Sequence, residues 1–335
     1  MSVYTQLTDA QFATFCQRFG VSFARAIPIT QGIKNSNWFI QTTDDNEGDH
    51  SYVFTLFEER PPSDIEKMAV ILNQLLGKLP VAAPMALIDS DSSAEKSYVI
   101  HYDNKAITLV PCLSGAHPKQ TTPAMCTEMG AALAVLHETL QALQPQEDYG
   151  VALYPWNEVR DREMQFMPSD EAKLMRDIWQ SYSDLPLDTL PKGLCHLDMF
   201  ADNTLWNLEE GNEQLTGLLD FTEVSVEHYV MDIAITINDF CTTWGDAEQG
   251  ESVDFDRQKM AAFLQGYESK RALGTDEKQA LPIMLAKAAV IFWLLRLNVI
   301  YYNRTEGRTG DNIMVKNPDL MKRLAAYHWS HVEKP

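Results

Sequence analysis

The 335-residue sequence predicts an α+β fold of two lobes, an N-terminal antiparallel β-sheet lobe with one long helix and a mainly helical C-terminal lobe. The first third alternates short β-rich runs with polar turns, whereas the remainder shows long segments with apolar residues at helical spacing. An apolar content of 45% over this length is enough to bury a sizeable core. We place the boundary after Cys112, which gives lobes of 1–112 and 113–335.

The N-terminal lobe contains four β-rich runs, with one helix between the second and the third. Polar turns between the runs favour antiparallel pairing. In the helix, apolar residues recur at helical spacing from Ile65 to Leu76, and Ser63 with Glu66 matches a capping box at its start. The predicted strands lie in SNWFIQTT, SYVFTLFEE, KSYVIHY and KAITLVPCL.

Helical patterns dominate after residue 123. The apolar run 281–302 has the length of a membrane span, but Lys287 and Arg296 would each cost about 2.5–3.5 kcal/mol in lipid. We therefore predict a buried core helix and no membrane association. The helical segments are predicted at 123–143, within a charged stretch around 157–183, and at 228–244, 254–269, 276–303 and 317–330.

Charge and cysteine content narrow the function classes. A net charge of −20 argues against nucleic-acid binding, which needs a clustered basic surface. The five cysteines are an odd number without a C-x-x-C pair, which predicts neither a disulfide framework nor a zinc site. The N-terminus lacks the basic and apolar regions of a signal peptide, so we expect a cytoplasmic protein.

One short polar segment interrupts the helical lobe, GLCHLDMFADNTLW at 193–206. From His196 it is H-x-D-x-x-x-x-N, with Asp198 and Asn203, and a later apolar run ends at Asp220 and Phe221. This is the order of a kinase catalytic loop and the Asp-Phe that follows it. Asp and Asn in a turn often only satisfy backbone groups, but the second element at the expected distance favours catalysis.

Phosphoryl transfer explains each of these residue types. A carboxylate must orient the attacking hydroxyl and accept its proton, and Asp198 stands where that base belongs. Magnesium prefers oxygen ligands, which Asn203 and Asp220 supply. We expect His196 to support the loop by hydrogen bonding rather than to act as an acid or base.

The segments HLDMFADNTLW and GLLDFTEVSVEHYVMDIAITIND resemble the aminoglycoside phosphotransferase and choline kinase superfamily, whose members have a protein kinase-like bilobal fold. Within it, QGIKNSNWFI, YVFTLFE, ITLVPCLSG, MGAALAVLH and FWLLRL are similar to stretches of bacterial homoserine kinases. The resemblance implies an ATP- and Mg²⁺-dependent kinase of threonine biosynthesis that phosphorylates a small alcohol, L-homoserine. Choline, ethanolamine or aminoglycoside kinases of the same superfamily and a nucleotide-binding pseudokinase remain alternatives.

The resemblance also implies nucleotide contacts. It assigns Gly32, Asn35, Ser36 and Asn37 to a turn over the phosphates, where backbone N–H groups can bind oxygens. It assigns Val110, Pro111 and Cys112 to the hinge that faces the adenine. The sequence departs from the kinase pattern at the strand SYVFTLFEE, which has Thr55 near the position of the usual lysine, so the phosphate-neutralising group stays unidentified. Glu66, near the usual partner of that lysine, is then better explained by the capping box.

The sequence also indicates the size of the acceptor. Only TEVSVEHYV separates Phe221 from the next helical pattern, which leaves little room to dock a peptide. A small amino-acid acceptor would need a cation for its carboxylate, and Arg296 is our candidate because a buried arginine needs a partner. An internal salt bridge is the alternative for Arg296, and Arg160 and Arg162 are weaker candidates.

Overall fold

The computed structural model describes residues 5–29, 35–43, 51–88, 96–209, 211–245, 253–305 and 316–332. A five-stranded antiparallel sheet in the order β1-β2-β3-β5-β4 forms the N-terminal part, and mostly helices follow, which confirms the predicted fold class. The strands of this sheet are β1 Phe23–Ile29, β2 Asn35–Thr42, β3 Tyr52–Phe57, β4 Ile100–Tyr102 and β5 Lys105–Pro111.

Two helices accompany the sheet, α1 Asp9–Arg18 and α2 Pro62–Leu75. Helix α1 was not predicted, and it begins with a capping box in which Thr8 and Gln11 exchange hydrogen bonds. The predicted capping box of α2 is wrong, because Pro61 is the N-cap and Ser63 lies inside the helix. The Pro62 ring fits the first helical position, where no N–H is needed, so the helix begins without a side-chain cap.

The C-terminal part consists of seven helices and short paired strands within the described residues, at positions close to the predicted segments. The helices are α3 Pro123–Leu140, α4 Trp156–Glu163, α5 Ser169–Ser183, α6 Tyr229–Phe240, α7 Arg257–Glu268, α8 Thr275–Thr305 and α9 Pro318–Ser330. The strands are β6 Lys192–Cys195, β7 Thr204–Asn207, β8 Gln214–Leu218, β9 Ser225–His228, β10 Thr242–Thr243 and β11 Asp254–Phe255. Strand β6 pairs with β9, β7 with β8, and β10 with β11.

Helix α8 is long and apolar enough over Thr275–Tyr301 to cross a membrane, but 61% of its most apolar window is buried inside the protein. It packs against α5, α6 and α9, as the predicted core helix would. Helices α3 and α7 approach closely because Gly130 and Gly266 face each other's helix, where a Cβ would overlap backbone atoms. All five cysteines are free thiols.

Candidate active site

His196 connects the two polar segments that the sequence singles out. Its side chain is fully buried, with the ring edge against Phe221 and Nε2 donating to the carbonyl of Leu219 at 3.0 Å. Burial lowers the pKa of His196, which favours the neutral ring. The contact holds the start of the 196–203 loop against the residue that precedes Asp220.

Asp232 on α6 anchors the same loop. Its fully buried carboxylate accepts the backbone N–H of His196 and that of Leu197, each at 2.8 Å, and His137 Nε2 at 2.9 Å. Burial raises the pKa of Asp232, but the hydrogen bond and charge of His137 outweigh it, so the pKa is lowered. The sequence analysis missed this role, and the only signal was an aspartate in the otherwise apolar start of α6.

The side chains of Asp198 and Asn203 are in direct contact. Asn203 Nδ2 donates to the backbone oxygen of Asp198 at 2.7 Å and to its carboxylate Oδ2 at 3.1 Å. Because the amide nitrogen is engaged on the loop side, Asn203 Oδ1 is left to accept or to coordinate. Both residues line a cavity, larger than a second cavity described below.

Asp220 lies next to this pair. The N–H of Leu219 donates to the carbonyl of Asn203 at 2.9 Å, which joins the two segments by their backbones. Asp220 has φ 54° and ψ 72°, a left-handed conformation that aspartate tolerates better than most residues. Its Oδ1 accepts the N–H of Thr222 at 3.3 Å and the Thr222 hydroxyl at 2.5 Å. The structure therefore brings the three predicted residues Asp198, Asn203 and Asp220 together.

The larger cavity has a volume of about 740 Å³ and lies between the 196–203 loop and helices α4, α5, α6 and α8. Both signs of charge line it. Its cations are Lys287, Arg296 and Lys316, and its carboxylates are Glu158, Asp198, Asp202, Glu223 and Glu227. Such a wall suits a small polar ligand with charges of both signs.

Arg296 lines this cavity, as a substrate-binding candidate should, but it is already engaged. Its Nη1 donates to the backbone oxygen of Asn317 at 2.8 Å. Burial lowers the pKa of Arg296 to about 10, against the opposing charges of Asp239 and Asp202. Arg160 and Arg162 lie on α4, where they form ion pairs with Asp161 and Glu163 and are outside the cavity lining.

The segment predicted to form the phosphate turn does not have that conformation in the structure. Asn35, Ser36 and Asn37 lie in strand β2, not in a turn, and Gly32 lies outside the described residues. Ser36 is fully buried, with its hydroxyl donating to Glu58, while Asn37 Oδ1 accepts the Thr55 hydroxyl at 2.8 Å. The two polar side chains are thus held within the sheet.

The predicted hinge residues end strand β5. Val110 pairs with Val53 and Pro111 with Tyr52, and the N–H of Cys112 donates to Ser51 at 2.9 Å. None of the three hinge residues lines the cavity that contains Asp198. Their contact with adenine stays a prediction.

A cation that the sequence analysis missed lies beside the Asp220 segment. Arg60 follows β3, and its Nη2 contacts Glu223 Oε2 at 2.6 Å. Arg60 and Asn35 line a second cavity of about 200 Å³ together with Thr222 and Glu223. Glu66 contacts His101 Nε2 at 2.8 Å on the surface.

Comparison with known proteins places these residues in a family context. A homoserine kinase of Neisseria meningitidis serogroup B is 28% identical over 326 residues, covering 97% of this chain and 98% of that protein. A homoserine kinase of Ralstonia pickettii is 29% identical over 311 residues, covering 91% and 90%. The similarity thus extends over almost the whole length of these relatives.

Solved structures share the fold at low sequence identity. Amicoumacin kinase hAmiN, in complex with AMP-PNP, Ca²⁺ and Ami, superposes with a TM-score of 0.65 at 14% identity, covering 97% of this chain and 94% of that one. A microcompartment-associated aminopropanol kinase superposes with a TM-score of 0.62 at 16% identity, covering 96% and 94%.

The model of the phosphotransferase enzyme family matches residues 25–273. This range contains most of β1, all of β2 to β11, the 196–203 loop and the Asp220 segment, and it amounts to well over half of the 335 residues. The chain belongs to the phosphotransferase enzyme family.

Proposed function

We propose that this protein is an ATP-dependent homoserine kinase, which transfers the γ-phosphoryl group of ATP to the hydroxyl of L-homoserine. The observation that carries the proposal is that Asp198 and Asn203 line a cavity with charges of both signs, while a backbone hydrogen bond from Leu219 to Asn203 brings the Asp220 segment beside them. The names of the relatives from Neisseria and Ralstonia support the acceptor. O-phospho-L-homoserine and ADP are the products, and the proposal includes a role in threonine biosynthesis and a cytoplasmic location.

Asp198 is the proposed catalytic base. Its carboxylate lies in the cavity wall, where it can orient the acceptor hydroxyl toward the phosphoryl group and accept the proton as the new O–P bond forms. Asn203 holds the backbone and carboxylate of Asp198, so it fixes the direction in which the base points. His196 acts indirectly, through the loop that it supports.

Asn203 and Asp220 are the proposed magnesium ligands. Both offer hard oxygen donors from adjacent backbone segments, and Asp220 Oδ2 has no hydrogen-bond partner among the described residues, so the donor set fits Mg²⁺. When bound, Mg²⁺ would neutralise charge on the phosphate oxygens. Thr222 holds the other carboxylate oxygen and thereby orients the Asp220 side chain.

Arg60 is the proposed substitute for the absent strand lysine. It reaches the second cavity between Asn35 and the Asp220 segment, and Arg is well suited to bind phosphate oxygens. In this proposal ATP contacts the start of β2 with its phosphates and Val110, Pro111 and Cys112 with its adenine. Arg60 would then exchange its ion pair with Glu223 for the nucleotide.

A coupled ADP-release assay with a panel of acceptors tests the function. The panel contains L-homoserine, serine, threonine, choline, ethanolamine and kanamycin, and we expect the highest kcat/KM for L-homoserine. Asp198→Asn should lower kcat by roughly 10²–10⁴. Asp177→Asn, on an exposed face of α5, is the matched control and should retain activity. Faster turnover of choline or kanamycin would reject the acceptor, and full activity of Asp198→Asn would reject the base.

A further inference from the structure

Lys287 is a buried lysine without an ion-pair partner among the residues that the structure describes. It lies on α8, only 3% of its surface is exposed, and it lines the cavity that contains Asp198. Within the described part of the chain its ammonium forms no ion pair and no hydrogen bond. Its contacts are with aromatic rings, the face of Trp179 and, at 4.8 Å from the ring centroid, Tyr182.

Such a position is unfavourable for a charged side chain. Burial lowers the pKa of Lys287 well below its ordinary value, and the nearby charge of Arg160 lowers it further against the opposing charge of Glu227. Aromatic faces compensate a cation only in part. A buried charge of this kind is stabilised when an anion binds beside it.

The other cations of the cavity wall are already engaged. Arg296 donates to the carbonyl of Asn317, and Lys316 forms an ion pair with Asp202 at 3.1 Å. Of the cavity cations in the described ranges, Lys287 is therefore the one whose charged group makes no hydrogen bond or ion pair. Glu227, paired with His228 at 2.6 Å, adds a negative charge to the same wall.

We propose that Lys287 binds the carboxylate of the acceptor and thereby restricts the reaction to alcohols that carry a carboxylate. The proposal rests on the proposed kinase function and adds the residue that determines its specificity. A zwitterionic amino acid fits best, because Glu227 lies in the same wall and can face the ammonium while Asp198 faces the hydroxyl.

Two acceptors that differ only in the carboxylate test this role. L-homoserinol replaces the carboxylate of L-homoserine with a hydroxymethyl group. We expect Lys287→Met to lower kcat/KM for L-homoserine by at least about 30-fold and to change kcat/KM for L-homoserinol by less than about threefold. Lys316→Met removes another cation of the same wall and should change both acceptors in parallel. An equal loss for both acceptors in Lys287→Met would overturn the proposal.

Stability separates substrate binding from a structural role. Because Lys287 has no counter-ion in the described part of the chain, the melting temperature of Lys287→Met should equal or exceed that of the wild type. A lower melting temperature together with equal loss of both activities would mean that the lysine only supports the packing of α5 and α8.

Proton uptake provides a second, independent measurement. Because a bound carboxylate raises the pKa of Lys287, L-homoserine binding should take up more protons in the wild type than in Lys287→Met, and an equal uptake across the pH range would count against the proposal. Calorimetry in two buffers of different ionisation enthalpy measures this uptake. The titratable neighbours Arg160, Tyr182 and Glu227 are present in both proteins, so the difference reports Lys287.

The outcome also separates this proposal from the proposed function. If the wild type phosphorylates choline or kanamycin but no carboxylate-bearing alcohol, the carboxylate role is overturned and the kinase chemistry stands. If no acceptor is phosphorylated, the kinase function fails, and binding of L-homoserine still decides the carboxylate role. If the wild type binds L-homoserine and Lys287→Met does not, the carboxylate role is supported. If the wild type does not bind L-homoserine, the carboxylate role is overturned.

Discussion

The carboxylate of Asp232 accepts the backbone N–H of Leu197 at 2.8 Å, and Leu197 has a φ of 62°. A leucine rarely adopts this left-handed conformation, which costs of order 1–3 kcal/mol. The charged hydrogen bond from helix α6 compensates for that strain and fixes the backbone immediately before Asp198. A buried contact distant in sequence therefore fixes the backbone from which the proposed base projects.

Asp232→Asn should destabilise the fold and slow catalysis together. The amide has only one acceptor oxygen, whereas the carboxylate accepts from His137 and from two backbone groups, so a loss of about 2–4 kcal/mol in unfolding free energy is expected. Urea denaturation and kcat measure the two effects. Asp202→Asn, with a half-exposed ion pair to Lys316, should change stability by less than about 1 kcal/mol. Equal stability of the two variants would contradict the anchoring role.

The proposed metal ligands should differ in their response to magnesium. Asp220→Ala removes a full charge and Asn203→Ala only a neutral oxygen, so high Mg²⁺ should restore nucleotide binding in Asn203→Ala better than in Asp220→Ala. Titrating ATP at several Mg²⁺ concentrations measures the difference. Metal-independent binding that neither substitution changes would show that the ligands lie elsewhere.

Arg60→Gln should weaken nucleotide binding. If Arg60 neutralises phosphate oxygens, its loss should raise KM for ATP by at least about tenfold and leave KM for the acceptor within about threefold. Lys78→Gln removes the same unit charge from an exposed turn after α2 and serves as the control. An unchanged KM for ATP in Arg60→Gln would show that a residue other than Arg60 neutralises the phosphate oxygens.

His328 should make the protein sensitive to acid. Burial lowers the pKa of His328 to about 3, while its Nε2 contacts Asn238 Oδ1 at 2.9 Å. Because the folded state binds fewer protons than the unfolded state, stability is complete above about pH 6.5 and falls as the pH drops toward 3. Between pH 7.5 and pH 5.0 this amounts to about 2 kcal/mol. Denaturation at both pH values measures the effect. The loss of stability should be smaller in His328→Gln than in the wild type by that amount.

Asp239 should make the protein more stable, not less, as the pH falls over the same range. Burial raises the pKa of Asp239 to about 6, although it accepts the N–H of Ala201 at 2.7 Å. Its contribution to stability is complete below about pH 3.9 and is lost as the pH rises through 6, so lowering the pH from 7.5 to 5.0 recovers about 1.4 kcal/mol. Asp239→Asn lacks this recovery and should lose more stability on acidification than the wild type. A smaller loss of stability in Asp239→Asn than in the wild type would contradict the raised pKa of Asp239.

Local sequence patterns predicted much of the architecture and the three central site residues. Helix and strand periodicities identified α3 and α6 to α9 and most strands of the large sheet, because burial of one face imposes its period on the sequence. Asp198 and Asn203 were found because a five-residue spacing fits within one loop. Asp220 was found because it directly ends an apolar run.

Some predictions failed where two local signals competed. Ser63 and Glu66 matched the capping-box pattern, but the preceding Pro61 and Pro62 set the backbone conformation earlier and began the helix there. Asn35 to Asn37 were predicted in a turn, yet backbone pairing with β1 and β3 extends the strand through them. In both places backbone constraints decided the structure, and the side-chain pattern did not.

The sequence by itself determined the family resemblance, the α+β class and the residues Asp198, Asn203 and Asp220, since these depend on short-range spacing. Only the tertiary structure decided the roles of Asp232 and Lys287, which appeared in the sequence as isolated charges in apolar helices. Burial makes each of these charges costly without a partner, and the partner is set by which helix packs against which loop or cavity. Asp232 accepts hydrogen bonds from other groups of the chain, whereas Lys287 lies in the wall of the cavity.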